Sequence, residues 1–320
     1  MLRILLEAFH FLAGFLNVFH AVIGALLITW VVLRVRKPEA ARRFGRWTLI
    51  AVGALLVLAP FAWIIPAVFK TGDAFNDYIF FPPLSRWGET LSLTNFHELF
   101  KGKPSQRGAV YFWEYFLNST VIATVTTTMQ IFLSSLAGYA LAKFEFRGKA
   151  VLTLFMLGAM MIPPVLLLAP LYKMVVDLGL VDSHAGVIIP LMASTYGTFL
   201  FRQACVTIPN EMIDAARLDG CSELGIYFRV VMPLVRPMAA AFCLVAFLAN
   251  WNAFFQPNIF LHSDEKLTVP VALNLLLGVY RQKQGVYLAG TALAMIPPAV
   301  LFFFLQKEFI SGLTSGAVKG

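Results

Sequence analysis

The sequence predicts an all-α, polytopic transmembrane bundle, and three observations carry that prediction. Hydrophobic residues make up 59% of the 320 residues and charged residues only 13%, about half the charged share of a soluble domain. The apolar residues run in unbroken blocks of about 20, the length that crosses a bilayer's hydrocarbon core as a helix. Lys and Arg gather between those blocks in an alternating pattern, so the net charge of +8 reads as a membrane signature rather than as a nucleic-acid surface.

Seven candidate spans follow in order: 8–33, 48–69, 115–142, 150–173, 186–202, 236–261 and 286–309. Backbone polar groups have no partner in hydrocarbon except one another, so each block is expected to be helical. A barrel would instead alternate apolar and polar residues over segments of about ten. If the link 33–48 is inside, the inner segments hold fifteen of the 25 Lys and Arg, with dense groups at Arg34–Arg46 and Lys143–Lys149. The N-terminus is then expected outside and the C-terminus in the cytoplasm. Met1–Val35 lacks a basic start and a small-residue cleavage site, so it reads as a span and not as a cleaved signal. Two connections are informative. Outer segment 70–114 carries Pro82-Pro83, Gly102 and Pro104, so it is an ordered loop with short helices at most. Inner segment 203–235 has no spanning signal, yet it does not read as a plain loop.

That inner segment contains Pro209-Asn210-Glu211-Met212-Ile213-Asp214-Ala215-Ala216-Arg217-Leu218-Asp219-Gly220. Asn210 is the expected N-cap, with Glu211 and Asp214 placed to suit the helix dipole. Gly220 is placed to end the helix in a left-handed conformation, and Ser222 to cap a second short helix. The expectation is two short helices joined at a glycine, with Ala215 and Ala216 as a small-residue patch among Asp214, Arg217, Asp219 and Arg229. So small a unit has no core of its own. Docking into another protein and a plain surface loop both remain open on these residues alone.

Asp214-Ala215-Ala216-x-x-Asp219-Gly220, followed by Phe228, Met232-Pro233 and Pro237, resembles the EAA loop of bacterial ABC importer permeases, with Asp214 where a glutamate is usual. Further segments extend the likeness to carbohydrate permeases of the maltose type: Asn118-Ser119-Thr120, Tyr139–Lys149, Met161-Ile162-Pro163-Pro164, Trp251-Asn252, Thr268-Val269-Pro270 and the tail Gly312–Gly320. The resemblance implies a six-helix permease core over 48–320, with 1–47 forming an extra N-terminal helix and a basic link. It implies that Asp214, Ala215, Ala216, Asp219, Gly220, Phe228 and Pro233 couple the chain to a separate ATPase dimer. A second homologous permease subunit, an extracytoplasmic binding protein and a carbohydrate substrate are the other implied partners. Related permeases also carry glycerol phosphate or phosphodiesters.

A substrate path needs polar groups inside the membrane. The sixth candidate span offers Asn250, Trp251, Asn252, Phe255, Gln256 and Asn258. Asn252 and Gln256 are four apart, as are Trp251 and Phe255, so each pair is expected on one helical face. Amides pair with sugar hydroxyls and aromatic faces cover the apolar side of a pyranose; the same residues also suit interhelical bonds. Pro163-Pro164 and Pro297-Pro298 interrupt helices, as hinges or as fixed kinks.

The sequence offers no catalytic motif, no metal-ligand spacing among its five histidines and three cysteines, and no cofactor fingerprint. An ion-coupled secondary transporter is disfavoured, because acidic residues are nearly absent from the spans.

Overall fold

The computed structural model describes residues 38–72, 74–105, 108–279 and 284–317. The candidate span 8–33 and most of its basic link lie outside them. The described chain falls into two units, one holding Ala67 and everything before it together with 79–81, the other the rest.

In the first unit, helix α1 (Pro38–Ala67) starts ten residues before the expected boundary at 48. Arg42, Arg43 and Arg46 therefore sit on helical turns and not in a link. Pro38 opens the helix without cost, because its missing N–H is one the first turn leaves unpaired anyway. From Ala51 to Ala62 every residue of α1 is apolar, so the helix is apolar on all faces, as a membrane span is.

In the second unit, a short helix α2 (Thr94–Phe100) and a two-stranded ribbon, β1 (Lys103–Ser105) with β2 (Gly108–Val110), precede the long helix α3 (Phe112–Lys143). Glu114 Oε1 accepts from the Tyr111 amide at 2.9 Å, closing one of the donors that a helix start leaves open. The next span is broken: α4 (Lys149–Ala159) meets the segment Pro164–Asp177, whose regular part is α5 (Leu168–Asp177), at 101°. Pro163 and Pro164 are at that corner. A second break of 43° separates α6 (His184–Leu191) from α7 (Thr195–Val206). Helices α8 (Asn210–Leu218) and α9 (Glu223–Ile226) form the inner segment. After them come α10 (Arg236–Trp251), α11 (Phe255–Phe260), α12 (Val269–Val279), α13 (Gln284–Ala294) and α14 (Ile296–Ala317). The pair α13–α14 runs as one span over Gln284–Glu308 despite Pro297-Pro298.

Among the described residues, three helices are long and apolar enough to cross a membrane, or up to six if each bent pair is one span. The bends explain the difference. An 11-residue helix covers about 17 Å at 1.5 Å per residue, half the thickness required.

The bundle is organised on α3, which packs along α7 and α10, while α10 packs on α14. Gly138 permits the closest approach. A Cβ there would lie 2.7 Å from both the Arg202 amide nitrogen and Phe201 Cβ, so no larger residue fits between α3 and α7. Small residues at such crossings are how membrane helices gain contact where the hydrophobic effect gives little. The central cluster joins Tyr139, Phe201 and Phe242 of the spans to Ile213, Ala216, Ile226 and Tyr227 of the inner segment. The inner segment is therefore part of the folded core.

Candidate functional site

Helix α8 is preceded by Pro209, which makes no side-chain cap. This corrects the expectation for Asn210, which is already helical. Its Oδ1 instead accepts from Lys143 Nζ at 2.8 Å, and the same ammonium donates to the Ile208 carbonyl at 2.5 Å. The last side chain of α3 thus grips the entry to α8. At the other end Gly220 has φ +80°. The Cys221 amide donates to Ala216 O and the Gly220 amide to Arg217 O, both at 3.0 Å. That pair of bonds is a Schellman closure, which satisfies carbonyls a helix end leaves open. Ser222 Oγ then accepts from the Gly225 amide at 3.2 Å and caps α9.

Arg217 staples the two helices. Its Nε donates to Glu223 Oε1 at 2.7 Å and its Nη1 to Asp214 Oδ1 at 3.0 Å. Tyr139 Oη donates to the other Glu223 oxygen at 3.3 Å. The bond from Arg217 holds the Glu223 carboxyl below its ordinary range, against a smaller opposing effect of burial. Sequence reasoning missed Glu223. The available signal was an acid across a glycine joint from Arg217, too common to single out.

Helical spacing then sorts the apolar residues of α8. Ile213 and Ala216 are three apart and both buried, facing the bundle. Ala215 is exposed, along with Met212 and Leu218, and Leu218 is 90% exposed. The expected two-alanine patch is therefore one alanine: Ala216 packs inward, and the outward apolar surface is Met212, Ala215 and Leu218. Asp214, Asp219 and Gly220 are exposed beside it, as are Leu224, Phe228 and Pro233 further on. Tyr227–Val231 is a π-helical turn, a form enriched at functional sites. It turns Tyr227 inward, where its hydroxyl meets Ser135 Oγ at 2.6 Å, and leaves Phe228 outside.

A second polar cluster lies among the spans. Asn250 Nδ2 donates to Thr127 Oγ1 and Gln130 Oε1, both at 3.1 Å. Gln130 Nε2 donates to Leu191 O at 2.7 Å, and Ser134 Oγ to Ser194 O at 3.0 Å. The Leu191 carbonyl at the end of α6 thus finds its donor on α3, and the Ser194 carbonyl takes one from α3 beside those from the Thr198 amide and hydroxyl. Asn250 serves as an interhelical bond, one of the two uses its sequence allowed.

The pairing expected further along α10 is not formed. The helix ends at Trp251 and α11 starts at Phe255, so a four-residue spacing no longer means a shared face. Trp251 is buried, donates to Ala294 O at 3.0 Å and stacks on Phe247 at 5.8 Å. Phe255, Asn252 and Asn258 are exposed and Gln256 half-buried. Pro257 opposes a continuous helix here, since it has no N–H for the Ala253 carbonyl and its ring crowds that turn.

On the opposite side of the bundle, Asp182 ties two loops together. Its Oδ1 accepts from the His262 and Ser263 amides at 2.9 and 3.0 Å, and its Oδ2 from Ser263 Oγ at 2.5 Å and Lys266 Nζ at 3.0 Å. Burial alone would raise the carboxyl, but the bonds from Ser263, His262 and Lys266 outweigh it and hold it well below the usual range.

A bundle of broken and whole spans with an apolar-tipped knob rigidly fixed at its basic end is the membrane part of a transport assembly. The chain belongs to the binding-protein-dependent transport system inner membrane component family, whose pattern matches residues 130–314. It is a multi-pass inner-membrane permease subunit of an ABC importer. Among curated relatives it is 40% identical to the arabinooligosaccharides transport system permease AraQ of Bacillus subtilis, over 72% of this chain and 80% of that one. It is 29% identical to the lactose transport system permease LacG of Rhizobium radiobacter, over 90% and 98%. Among solved structures, a chain of a bacterial ABC transporter that imports the acidic polysaccharide alginate superposes with a TM-score of 0.70 at 20% identity. That match covers 85% of this chain and 98% of the other, and it speaks for the fold.

Proposed function

We propose that this permease carries a carbohydrate, supplied by an extracytoplasmic binding protein and driven by a separate ATPase dimer. The observation that carries the reading is the 40% identity to an arabinooligosaccharide permease, with the lactose permease agreeing in substrate class. In this mechanism a second homologous permease completes the path. The membrane domain is 48–320, and the segment 1–47 is an added element. Asp214, Ala215, Asp219, Gly220, Phe228 and Pro233 face the ATPase, with Met212 and Leu218 as the apolar anchors, while Ala216 and Ile213 hold that surface to the bundle. The Arg217–Glu223 staple makes α8 and α9 move as one body, so motion of the ATPase reaches α3 through Lys143 and through the shared core. Asn252, Phe255, Gln256 and Asn258 supply amides and a ring to the passing sugar, and Trp251 fixes the α10 end behind them.

The test is reconstitution of the complete transporter in vesicles, with arabinooligosaccharide, lactose and glycerol phosphate offered in turn with their binding proteins. Uptake and ATP hydrolysis stimulated by a saccharide are expected. Stimulation by glycerol phosphate alone would overturn the substrate class, and uptake without any ATPase would overturn the coupling.

A further inference from the structure

One groove outside the coupling surface combines features that a protein partner does not explain. It lies at the basic end of the bundle, where the turn before α4 meets α7, and has a volume of about 730 Å³. Lys149 and Arg202 line it together with Phe146, Val151, Leu154 and Leu157. Helices α4 and α7 are in direct contact there, so the groove has a solid floor.

The polar end is unfinished. Arg202 Nε is buried and has no hydrogen-bond partner. A buried charged donor without an acceptor is costly, so such a group marks a site for something else. Lys149 Nζ donates to Phe144 O at 3.0 Å and Glu145 Oε1 at 2.9 Å. Those bonds pin the ammonium at the groove and leave its third donor. The Glu145 side chain also lines the groove, but it is 88% exposed, so its charge is the one that water screens best. Gly148 precedes α4 at φ +91° and gives its first turn no side-chain cap, so the positive end of the helix adds to the same field.

The other end is apolar. Val151, Leu154 and Leu157 recur every three residues, forming one stripe along α4. Val151 is 64%, Leu154 70% and Leu157 41% exposed, with the neighbouring Leu152 at 54%. From Lys149 to Leu157 the helix rises about 12 Å, just short of the ~15 Å hydrocarbon depth of one leaflet. A cation pair at the water boundary with an apolar stripe one leaflet long has the shape of a lipid.

We propose that this groove binds one anionic phospholipid of the cytoplasmic leaflet, its phosphate on Arg202 and Lys149 and an acyl chain along Val151, Leu154 and Leu157. The phosphate pairs with the guanidinium where Arg202 lines the groove, in a planar geometry that suits arginine. The chain covers a stripe that water would not. Because α7 bears Arg202 and leads directly into α8, the bound lipid braces the helix from which the coupling knob hangs.

The test uses the full chain reconstituted in vesicles of equal phosphatidylglycerol and phosphatidylcholine, extracted in mild detergent and weighed by native mass spectrometry. Retention of phosphatidylglycerol over phosphatidylcholine by about 30-fold is expected, from two cations at an anionic surface. Arg202→Gln and Leu154→Asn should each abolish the preference, and Arg202→Lys should keep most of it. Leu154 is on the surface, so its substitution tests the site without depending on refolding. A photoreactive side chain at position 154 should form adducts with lipid. Equal retention in wild type and Arg202→Gln would overturn the proposal. So would displacement of the lipid by inorganic phosphate, which would make this a free-anion site, or a crosslink from position 154 to a polypeptide, which would make it a subunit interface.

Discussion

Leu218 offers the sharpest test of how the knob engages its partner. At 90% exposure it contributes almost nothing to the fold of the isolated chain. Leu218→Ala removes three carbons, and each buried methylene is worth about 0.8 kcal/mol. If docking buries the side chain, the variant loses about 2 kcal/mol of association, which is a ~30-fold weaker Kd. The assay is binding of the purified ATPase subunit to the chain held in nanodiscs, with thermal unfolding of the chain measured alongside. Expected is a Kd raised by that factor with no change in Tm. A Kd within threefold of wild type would refute the assignment of Leu218 as an anchor. A lowered Tm would refute the claim that it is idle in the free chain.

Three further predictions rest on other parts of the structure. Gly220→Ala should cost about 1–2 kcal/mol through backbone strain alone, because no atom lies within 4 Å of the added Cβ; chemical denaturation measures this, and an unchanged stability would show that the Schellman closure is not held in solution. Asn250→Ala removes the bonds to Thr127 and Gln130 and should cost about 0.6–1.7 kcal/mol, the range for interhelical bonds in membranes, read as a lower unfolding midpoint in detergent. Asp182→Ala should speed amide exchange at His262 and Ser263 about tenfold, the value of one lost charge-assisted bond. In the wild type, the depressed Asp182 carboxyl contributes stability above the ordinary aspartate pKa of about 3.9 that is lost only as pH falls through the lower folded value. Protection of these two amides, corrected for intrinsic rate, should therefore not change between about pH 5 and 8; a midpoint inside that window would contradict the clamp.

The spans were legible because hydrocarbon imposes a length on every apolar block. Their interruptions were legible only in part. Pro163-Pro164 and Pro297-Pro298 give the same local signal, yet one sits at a 101° corner and the other within a continuous span. Proline removes a bond, but the packing around it decides the angle. The same limit applies at Asn252. Its spacing from Gln256 is a helical argument, and it fails once the helix ends at Trp251. On the knob, Gly220 and Ser222 were readable because their roles depend on local backbone geometry. The Asn210 cap was displaced by a tertiary contact, the Lys143 ammonium arriving from a helix 67 residues away in sequence. Ala216 turned inward for a similar reason: which side of a short helix faces the bundle depends on what the bundle presents.

Helix α3 is held at both tips. Near its start, Asn118 Nδ2 donates to Glu265 O and Leu267 O at 2.8 and 3.0 Å, and Ser119 Oγ accepts from the Val269 amide at 2.8 Å. At its end, Lys143 grips the entry to α8. From Asn118 to Lys143 the helix is unbroken, a shaft of about 38 Å. A tilt of about 10° about one tip swings the other through roughly 7 Å, because the length of the shaft multiplies the angle. The helix is thus a connecting rod, pinned to the loop on one side of the membrane and to the knob on the other. Displacement enters at one pin and leaves at the other without a soft joint between them.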